Sequence, residues 1–422
     1  MTGIRKVFLQ FIFSGAQMKR WNDKLRPMDM FEVDKQAHKM IVAWLLLTLN
    51  SQGLSPEKRV ELSCQVVEGG IFDYFYRLIT TDIKPPVFYR IKENREHYAA
   101  LSKWVVDELA PILSGLPGGI WQRFLAWIER KQESGPGGIA EQILDAAHMY
   151  ASSWEFNLIK NLNWFDEEIP DIEASFQQLP SSFSELPGVS EIYEAPNTRL
   201  ADRSPLARFA ALCGQLRFQA RWSQTPRIPE TSVMGHMFMV AAYAYFYSLE
   251  AGACPARALN NFFAGLFHDL PELLTRDIIS PVKKSVEDLD RLLHDYELQQ
   301  MQCRVFAPLL TGGYDCLVDR LSYLLGLEIG SEFYSCARID GKITRLDFNE
   351  LHKAYNHDQF DPKDGELLKM CDELAAFLEA YTAVRNGVTS PELQGAMWRL
   401  KNNRRNHALG NIHFGAILAD FD

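Results

Sequence analysis

Apolar residues recur every three to four positions along most of the chain, the spacing that gives an α-helix one apolar face. Turn signals such as Gly252 and Gly312-Gly313 separate these stretches. No convincing run of alternating apolar and polar residues predicts a strand. The predicted fold class is therefore all-α. The predicted helices cover residues 39–50, 98–113, 119–131, 139–162, 206–222, 232–250, 257–270, 284–308, 315–328, 332–354, 364–385 and 391–404.

The region from about 165 to 204 interrupts the helical pattern. It contains the acidic run Asp166-Glu167-Glu168 and frequent prolines, among them Pro170, Pro180, Pro187 and Pro196. A chain of 422 residues is long enough for two domains. We therefore expect helical domains at residues 1–164 and 205–422, with a connecting segment at 165–204, part of which can pack as a short helix.

The two halves contain similar stretches, which is the feature that most strongly indicates how the chain is organised. Residues 70–87, GIFDYFYRLITTDIKPPV, align without a gap to residues 265–282, GLFHDLPELLTRDIISPV, and eight of the eighteen positions are identical. The chain is therefore predicted to contain a tandem duplication of one helical domain.

Further matches recur in the same order. Arg20-Trp21 precedes His38 as Arg221-Trp222 precedes His236. Near the end of each half, Glu155-Phe156-Asn157 resembles Asp347-Phe348-Asn349, and that register places His148 opposite Asp340.

Charge and cysteine usage exclude several classes of function. The net charge of −10 argues against binding to a nucleic acid polymer, where many cations must neutralise phosphates. Seven cysteines without a Cys-x-x-Cys pair indicate reduced thiols in a cytoplasmic protein. The longest apolar run, Met237 to Phe246, is far shorter than the ~20 residues that span a bilayer, so no membrane partner is expected.

Four residues of the second half are candidate metal ligands: His236, His268, Asp269 and Asp340. His268-Asp269 forms an adjacent pair at the end of an apolar run, and Glu272 and Asp277 follow shortly after it. Two imidazoles and two carboxylates suit a divalent ion of borderline softness and leave room for water and a substrate oxygen.

This order of residues resembles the HD-domain metal-dependent phosphohydrolase superfamily. Residues 205–360 are most similar to its bacterial 5′-deoxynucleotidase branch, typified by YfbR. The resemblance rests on Arg221-Trp222, His268-Asp269-Leu270-Pro271-Glu272, Thr275-Arg276-Asp277, Ser280-Pro281-Val282-Lys283 and Ile339-Asp340-Gly341-Lys342. It implies release of phosphate from (deoxy)nucleoside 5′-monophosphates by a metal-activated water.

The resemblance also implies a role for each residue. His236, His268, Asp269 and Asp340 bind one divalent ion, which is Co, Mn, Zn, Ni, Fe or Mg. Glu272 and Asp277 orient or deprotonate the water and assist the leaving group. Arg221 pairs with the phosphate, and Trp222 packs near the sugar or base. Ser280 and Lys283 bind the substrate phosphate at the start of a further predicted helix, whose N–H groups favour an anion.

The first half is expected to be a degenerate, non-catalytic copy. His38 corresponds to His236, Asp73-Tyr74 replaces His268-Asp269, Arg77 replaces Glu272, and His148 replaces Asp340. Such a set is poorly suited to the same metal. We expect this half to form an internal pseudo-dimer with the second half, in place of the homodimer partner of the family. A regulatory pocket and further homo-oligomerisation both remain open.

Four alternatives use the same scaffold. Hydrolases of (p)ppGpp usually carry two acidic residues after the doublet, whereas Leu273 follows Glu272 here. Hydrolysis of a dNTP stays open. A di-iron oxygenase needs two more histidine ligands, and His352 lies after Asp340, out of order. In a nucleotide-binding regulatory module the fold would be only a scaffold.

Overall fold

The computed structural model describes residues 3–133, 137–193, 202–275 and 289–422. These residues are mostly helical, which confirms the all-α prediction. The helices of the first half and the connecting segment are α1 (Lys6–Phe13), α2 (Glu32–Asn50), α3 (Pro56–Thr80), α4 (Pro85–Glu93), α5 (Arg95–Leu113), α6 (Ile120–Gln132), α7 (Ile139–Ile159), α8 (Ile169–Gln177) and α9 (Val189–Ile192).

The second half continues the helical series and adds two small hairpins. Its elements are α10 (Pro205–Gly214), α11 (Val233–Glu250), α12 (Pro255–Phe267), α13 (Glu272–Thr275), α14 (Leu289–Met301), α15 (Ala307–Thr311), α16 (Asp315–Leu324), β1 (Cys336–Ile339), β2 (Lys342–Arg345), α17 (Phe348–Ala354), α18 (Gly365–Arg385), α19 (Pro391–Arg404), β3 (Ala408–Leu409), β4 (Ile412–His413) and α20 (Phe414–Ala419).

Helices α2 and α11 pack against each other at the centre of the molecule. Every residue of α11 from Val233 to Ser248 is buried, and so is every residue of α2 from Glu32 to Leu47. A helix that is buried on all sides needs apolar residues around its whole circumference, which explains the long apolar run at 237–246. Ser232 caps α11 by accepting the Gly235 N–H at 2.9 Å.

The two halves share one hydrophobic core. Aromatic rings of the first half contact rings of the second half edge to face. The ring centroids are 4.6 Å apart for Phe8 and Phe246, 4.7 Å for Trp44 and Phe267, and 4.9 Å for Tyr74 and Phe238. Such pairs contribute on the order of 1 kcal/mol each beyond the burial of their area. The first half therefore covers an apolar face of the second.

The helix predicted at 332–354 is wrong over its first part. Strands β1 and β2 pair antiparallel there, with Ile339 opposite Lys342. Asp340 and Gly341 make the connecting turn with φ of +49° and +76°. An Asp-Gly pair between β-branched stretches is a strong hairpin signal, because both turn residues need positive φ. The helical spacing concealed this signal.

Two further features concern the helices of the connecting segment and the length of the apolar helices. The predicted connection at 165–204 contains α8 and α9, while residues 194–201 lie outside the described part. Within the described ranges, no helix has the length and apolar character needed to cross a membrane.

Candidate metal centre

A close helix contact brings His236 and His268 together. His236 lies in the first turn of α11, and His268 is the residue at which α12 ends. A Cβ on Gly265 would lie 2.7 Å from the Cα of Ala241, so only glycine permits α12 to approach α11 this closely. The two imidazole centroids are 5.4 Å apart, and both side chains are fully buried.

Two carboxylates face the imidazole pair. Asp372 Oδ1 lies 3.1 Å from His236 Nε2 and 3.9 Å from His268 Nε2. Asp269 Oδ2 lies 3.2 Å from His268 Nε2 and 3.8 Å from His236 Nε2. One ligand atom from each of His236, His268 and Asp372 lies within 4.8 Å of the others. Atoms about 2 Å from a common ion lie roughly 3 to 4 Å apart, so this spacing fits one divalent ion.

A hydrogen bond at Nδ1 directs the Nε2 atom of His268 toward the cluster, and a carboxylate faces the Nδ1 atom of His236. The Nδ1 of His268 lies 2.8 Å from the carbonyl oxygen of Gly265, and the Nδ1 of His236 lies 3.4 Å from Glu379 Oε1. A carbonyl or carboxylate at Nδ1 favours the tautomer whose Nε2 lone pair is free for a metal. Among the described residues, the buried atoms His268 Nε2 and His236 Nδ1 have no hydrogen bond of good geometry.

Glu379 connects the cluster to Arg221 and Trp222. Its Oε2 accepts from Trp222 Nε1 at 2.8 Å and from Arg221 Nε at 3.3 Å. Arg221 Nη1 also donates to Asp269 Oδ2 at 3.2 Å. Arg221 and Trp222, predicted to contact substrate, therefore hold carboxylates of the cluster in place. Only 13% of the Arg221 side chain is exposed.

The electrostatics of the cluster favour a bound cation. Burial lowers the pKa of His268, but the carboxylates of Asp269 and Asp372 outweigh that effect and raise it to about 9. Burial raises the pKa of Asp269, yet His268 and Arg221 bring it below its usual value. The pKa of Glu379 is also lowered, because Arg221 and His236 outweigh burial. The imidazole and carboxylate ligand atoms, and the negative charge of the carboxylates around them, thus fit a divalent ion.

Glu272, predicted to act on the attacking water, lies beside the cluster. It begins the short helix α13, and its backbone N–H donates to the carbonyl oxygen of Asp269 at 3.1 Å. Burial lowers the pKa of Arg221, but the charges of Glu379, Asp269 and, to a smaller extent, Glu272 outweigh that effect and raise it. The structure therefore places Glu272 next to the cluster.

Asp340 does not lie with the other predicted ligands. It is exposed in the turn between β1 and β2, whereas the acidic side chain beside His236 and His268 is Asp372 of α18. The remaining predicted residues, Asp277, Ser280 and Lys283, lie outside the described part of the chain.

Sequence reasoning missed Asp372 and Glu379. They are seven residues apart on one face of α18, a helix whose other buried positions are mostly apolar. Two acidic residues two turns apart on a mainly buried helix face could have indicated that these side chains belong to a site.

Lys369 and Phe333 lie at the edge of the cluster. Lys369 Nζ donates to Asp372 Oδ2 at 2.8 Å, and the same atom lies 4.3 Å from the centre of the Phe333 ring. The Phe333 ring centroid is 6.2 Å from that of His268. Lys369 is the more accessible member of its ion pair, with 41% of the side chain exposed against 16% for Asp372.

Residues 213–401 match the family model described as HD domain. This range contains His236, His268, Asp269, Asp372 and Glu379. Members of that family are generally metal-dependent hydrolases. No curated protein and no solved structure matches the chain.

Proposed function

We propose that the HD domain of this chain is a metal-dependent phosphohydrolase that releases phosphate from (deoxy)nucleoside 5′-monophosphates. The observation that carries the proposal is the convergence of His236, His268 and Asp372 on one point, with Asp269 beside both histidines. These four residues are the proposed ligands of one divalent ion, and Asp372 takes the place predicted for Asp340.

The surrounding residues position the ligands. The carbonyl of Gly265 and the carboxylate of Glu379 orient the two imidazoles, while Arg221 orients Asp269. A divalent ion at this position supplies Lewis acidity and lowers the pKa of water, the chemistry that phosphate ester hydrolysis needs. Such an arrangement preorganises charge before the substrate arrives.

Two residues at the edge of the cluster are proposed to act on the substrate side. Glu272, whose backbone N–H bonds to the carbonyl oxygen of Asp269, is proposed to orient the attacking water and to accept its proton. The half-exposed ammonium of Lys369 supplies positive charge for a phosphoryl oxygen. The nucleotide class itself rests on the resemblance found in the sequence. Hydrolysis of (p)ppGpp or a dNTP is the alternative outcome of the same test.

The test is a hydrolysis screen on metal-loaded protein. Nucleoside 5′-monophosphates with ribose and deoxyribose, dNTPs and (p)ppGpp are compared by the phosphate or pyrophosphate that they release. We expect monophosphates to be hydrolysed, and we expect Asp269→Asn to lose at least about 100-fold in rate. Release of pyrophosphate or tripolyphosphate alone would replace the proposed substrate class. No hydrolysis by protein with bound metal would refute the enzymatic function.

A further inference from the structure

A left-handed tryptophan marks the same structural position in both halves. Trp21 and Trp222 have φ of +54° and +56°. The indole N–H of Trp21 donates to Glu155 at 2.9 Å, and that of Trp222 donates to Glu379 at 2.8 Å. A non-glycine residue rarely adopts this conformation, so its recurrence with the same acceptor type identifies corresponding positions.

The turn around each tryptophan is closed by the same backbone contact. Arg26 Nη1 donates to the carbonyl oxygen of Arg20, and Arg227 Nη2 donates to the carbonyl oxygen of Arg221, each at 2.8 Å. These contacts support the alignment of residues 20–40 with residues 221–241 without a gap.

The glycines of the repeated stretch make equivalent helix contacts. A Cβ on Gly70 would meet Met40 at 2.3 Å, and a Cβ on Gly265 would meet Ala241 at 2.7 Å. Met40 and Ala241 occupy the same place in the gap-free alignment. Three independent contacts thus give one register.

This register assigns counterparts to the proposed metal ligands. Lys35, not His38, corresponds to His236. Asp73 corresponds to His268. His148 lies seven residues before Glu155, as Asp372 lies seven residues before Glu379, so His148 corresponds to Asp372 rather than to Asp340.

Two of these counterparts, Lys35 and His148, contact each other in the first half, and the others pair with neighbouring charged residues. Lys35 Nζ lies 2.8 Å from His148 Nδ1 and 3.7 Å from Glu32 Oε1, and only 4% of its side chain is exposed. Asp73 accepts a hydrogen bond from Lys39. Arg77, the counterpart of Glu272, pairs with Glu32 at 3.4 Å.

We propose that the first half contains a former metal site in which the amino group of Lys35 stands in the place of the ion. The proposal rests on the function proposed for the second half, because that site defines which residues are counterparts. Lys35 engages His148, Lys39 engages Asp73, and Arg20 engages both Glu32 and Glu155. Lysine and arginine side chains thus occupy these groups, and among the described residues of the first half no His, Cys, Asp and Glu side chains form a cluster that could hold a divalent ion.

The former metal site of the first half contacts residues that position the metal centre of the second half. Glu155, which accepts from Arg20 and Trp21, also binds the buried Arg217 Nη1 at 2.7 Å. Arg217 belongs to the segment that leads to Arg221. On the other side, Ser232, which caps the helix carrying His236, donates to Asp34 Oδ1 at 2.6 Å. The first half can therefore hold residues near the metal centre in position without binding a metal ion itself.

Metal analysis of purified variants tests this proposal. We expect one equivalent of divalent ion in the wild type and none in His268→Asn/Asp372→Asn. We expect one equivalent in His148→Ala, since its imidazole binds Lys35 and no ion. An ion that persists in the double variant and disappears when His148→Ala is added would overturn the proposal. An ion-free wild type would instead count against the function proposed for the second half.

A gain of binding provides the complementary test. Lys35→His/Asp73→His/His148→Asp restores the His-His-Asp set at the corresponding positions. We expect this triple variant to bind a second equivalent, while Lys35→Met binds only one. Circular dichroism monitors folding. A folded triple variant without a second ion would contradict the correspondence between the two sites. If the triple variant does not fold, the metal content of the wild type, His268→Asn/Asp372→Asn and His148→Ala decides the question.

Discussion

At the scale of single residues, the imidazole of His236 has a carboxylate facing each of its nitrogens. Asp372 lies 3.1 Å from Nε2, and Glu379 lies 3.4 Å from Nδ1. In the proposed centre, Asp372 shares the metal with His236, whereas Glu379 fixes the ring and its tautomer. Groups that orient a metal-binding histidine in this way contribute to affinity although they do not touch the ion.

Replacing Glu379 by glutamine tests this orienting role. The amide keeps the shape of the side chain but removes the charge that faces His236 and Arg221. We expect metal affinity to fall about 10- to 100-fold in a chelator competition assay. Glu373→Gln, on the same helix but paired with Arg404, is the matched control and should bind normally. Unchanged affinity in a folded Glu379→Gln protein would contradict the role.

The sequence predicted three of the four proposed ligands because they lie in recognisable local motifs. His268-Asp269 is adjacent in the chain, and His236 opens an apolar helix. Asp372 could not be chosen over Asp340 in this way, because the choice depends on which distant element packs across from the histidines. That is a property of the tertiary structure, and the helical spacing also hid the hairpin that carries Asp340.

At the scale of elements, the contact of α11 with α12 sets the distance between the two histidines. Gly265 makes this contact possible, since any Cβ would press on the backbone at Ala241. Backbone atoms cannot move aside as a flexible side chain can.

Gly265→Ala should therefore affect both stability and the site. We expect a loss of about 1–3 kcal/mol in the free energy of unfolding, measured with urea, because the added methyl overpacks the interface. Metal affinity should fall as well, because the histidines move apart. Gly115→Ala is the control, since a Cβ there meets nothing within 4 Å. A stability and an affinity equal to those of the control variant would refute this account of the contact.

At the scale of the whole molecule, the halves share an aromatic core and a buried polar network. Lys35 is the centre of that network in the first half. Burial, with Arg20, Lys39 and Arg77, lowers the pKa of Lys35 to about 7, against the opposing effect of Glu32. The surrounding charged and titratable groups are Arg20, Glu32, Lys39, Asp73, Arg77 and His148.

This pKa predicts how stability depends on pH. Between pH 7 and the ordinary pKa of a lysine, the unfolded chain holds the proton that the folded chain has released, so raising the pH favours the folded state. We expect the free energy of unfolding to rise by about 2 kcal/mol from pH 7 to pH 9 relative to Lys35→Met. Urea titrations of both proteins across this range measure it. Parallel pH profiles would show that Lys35 does not titrate as described.

The most direct test of the account is the metal content of Asp372→Asn beside that of Asp340→Asn. Both variants remove one carboxylate charge, from α18 in the first case and from the hairpin turn in the second. We expect Asp372→Asn to lose the bound ion and the phosphate release that depends on it, and Asp340→Asn to keep one equivalent. Retention of the ion in Asp372→Asn, with its loss in Asp340→Asn, would contradict this expectation.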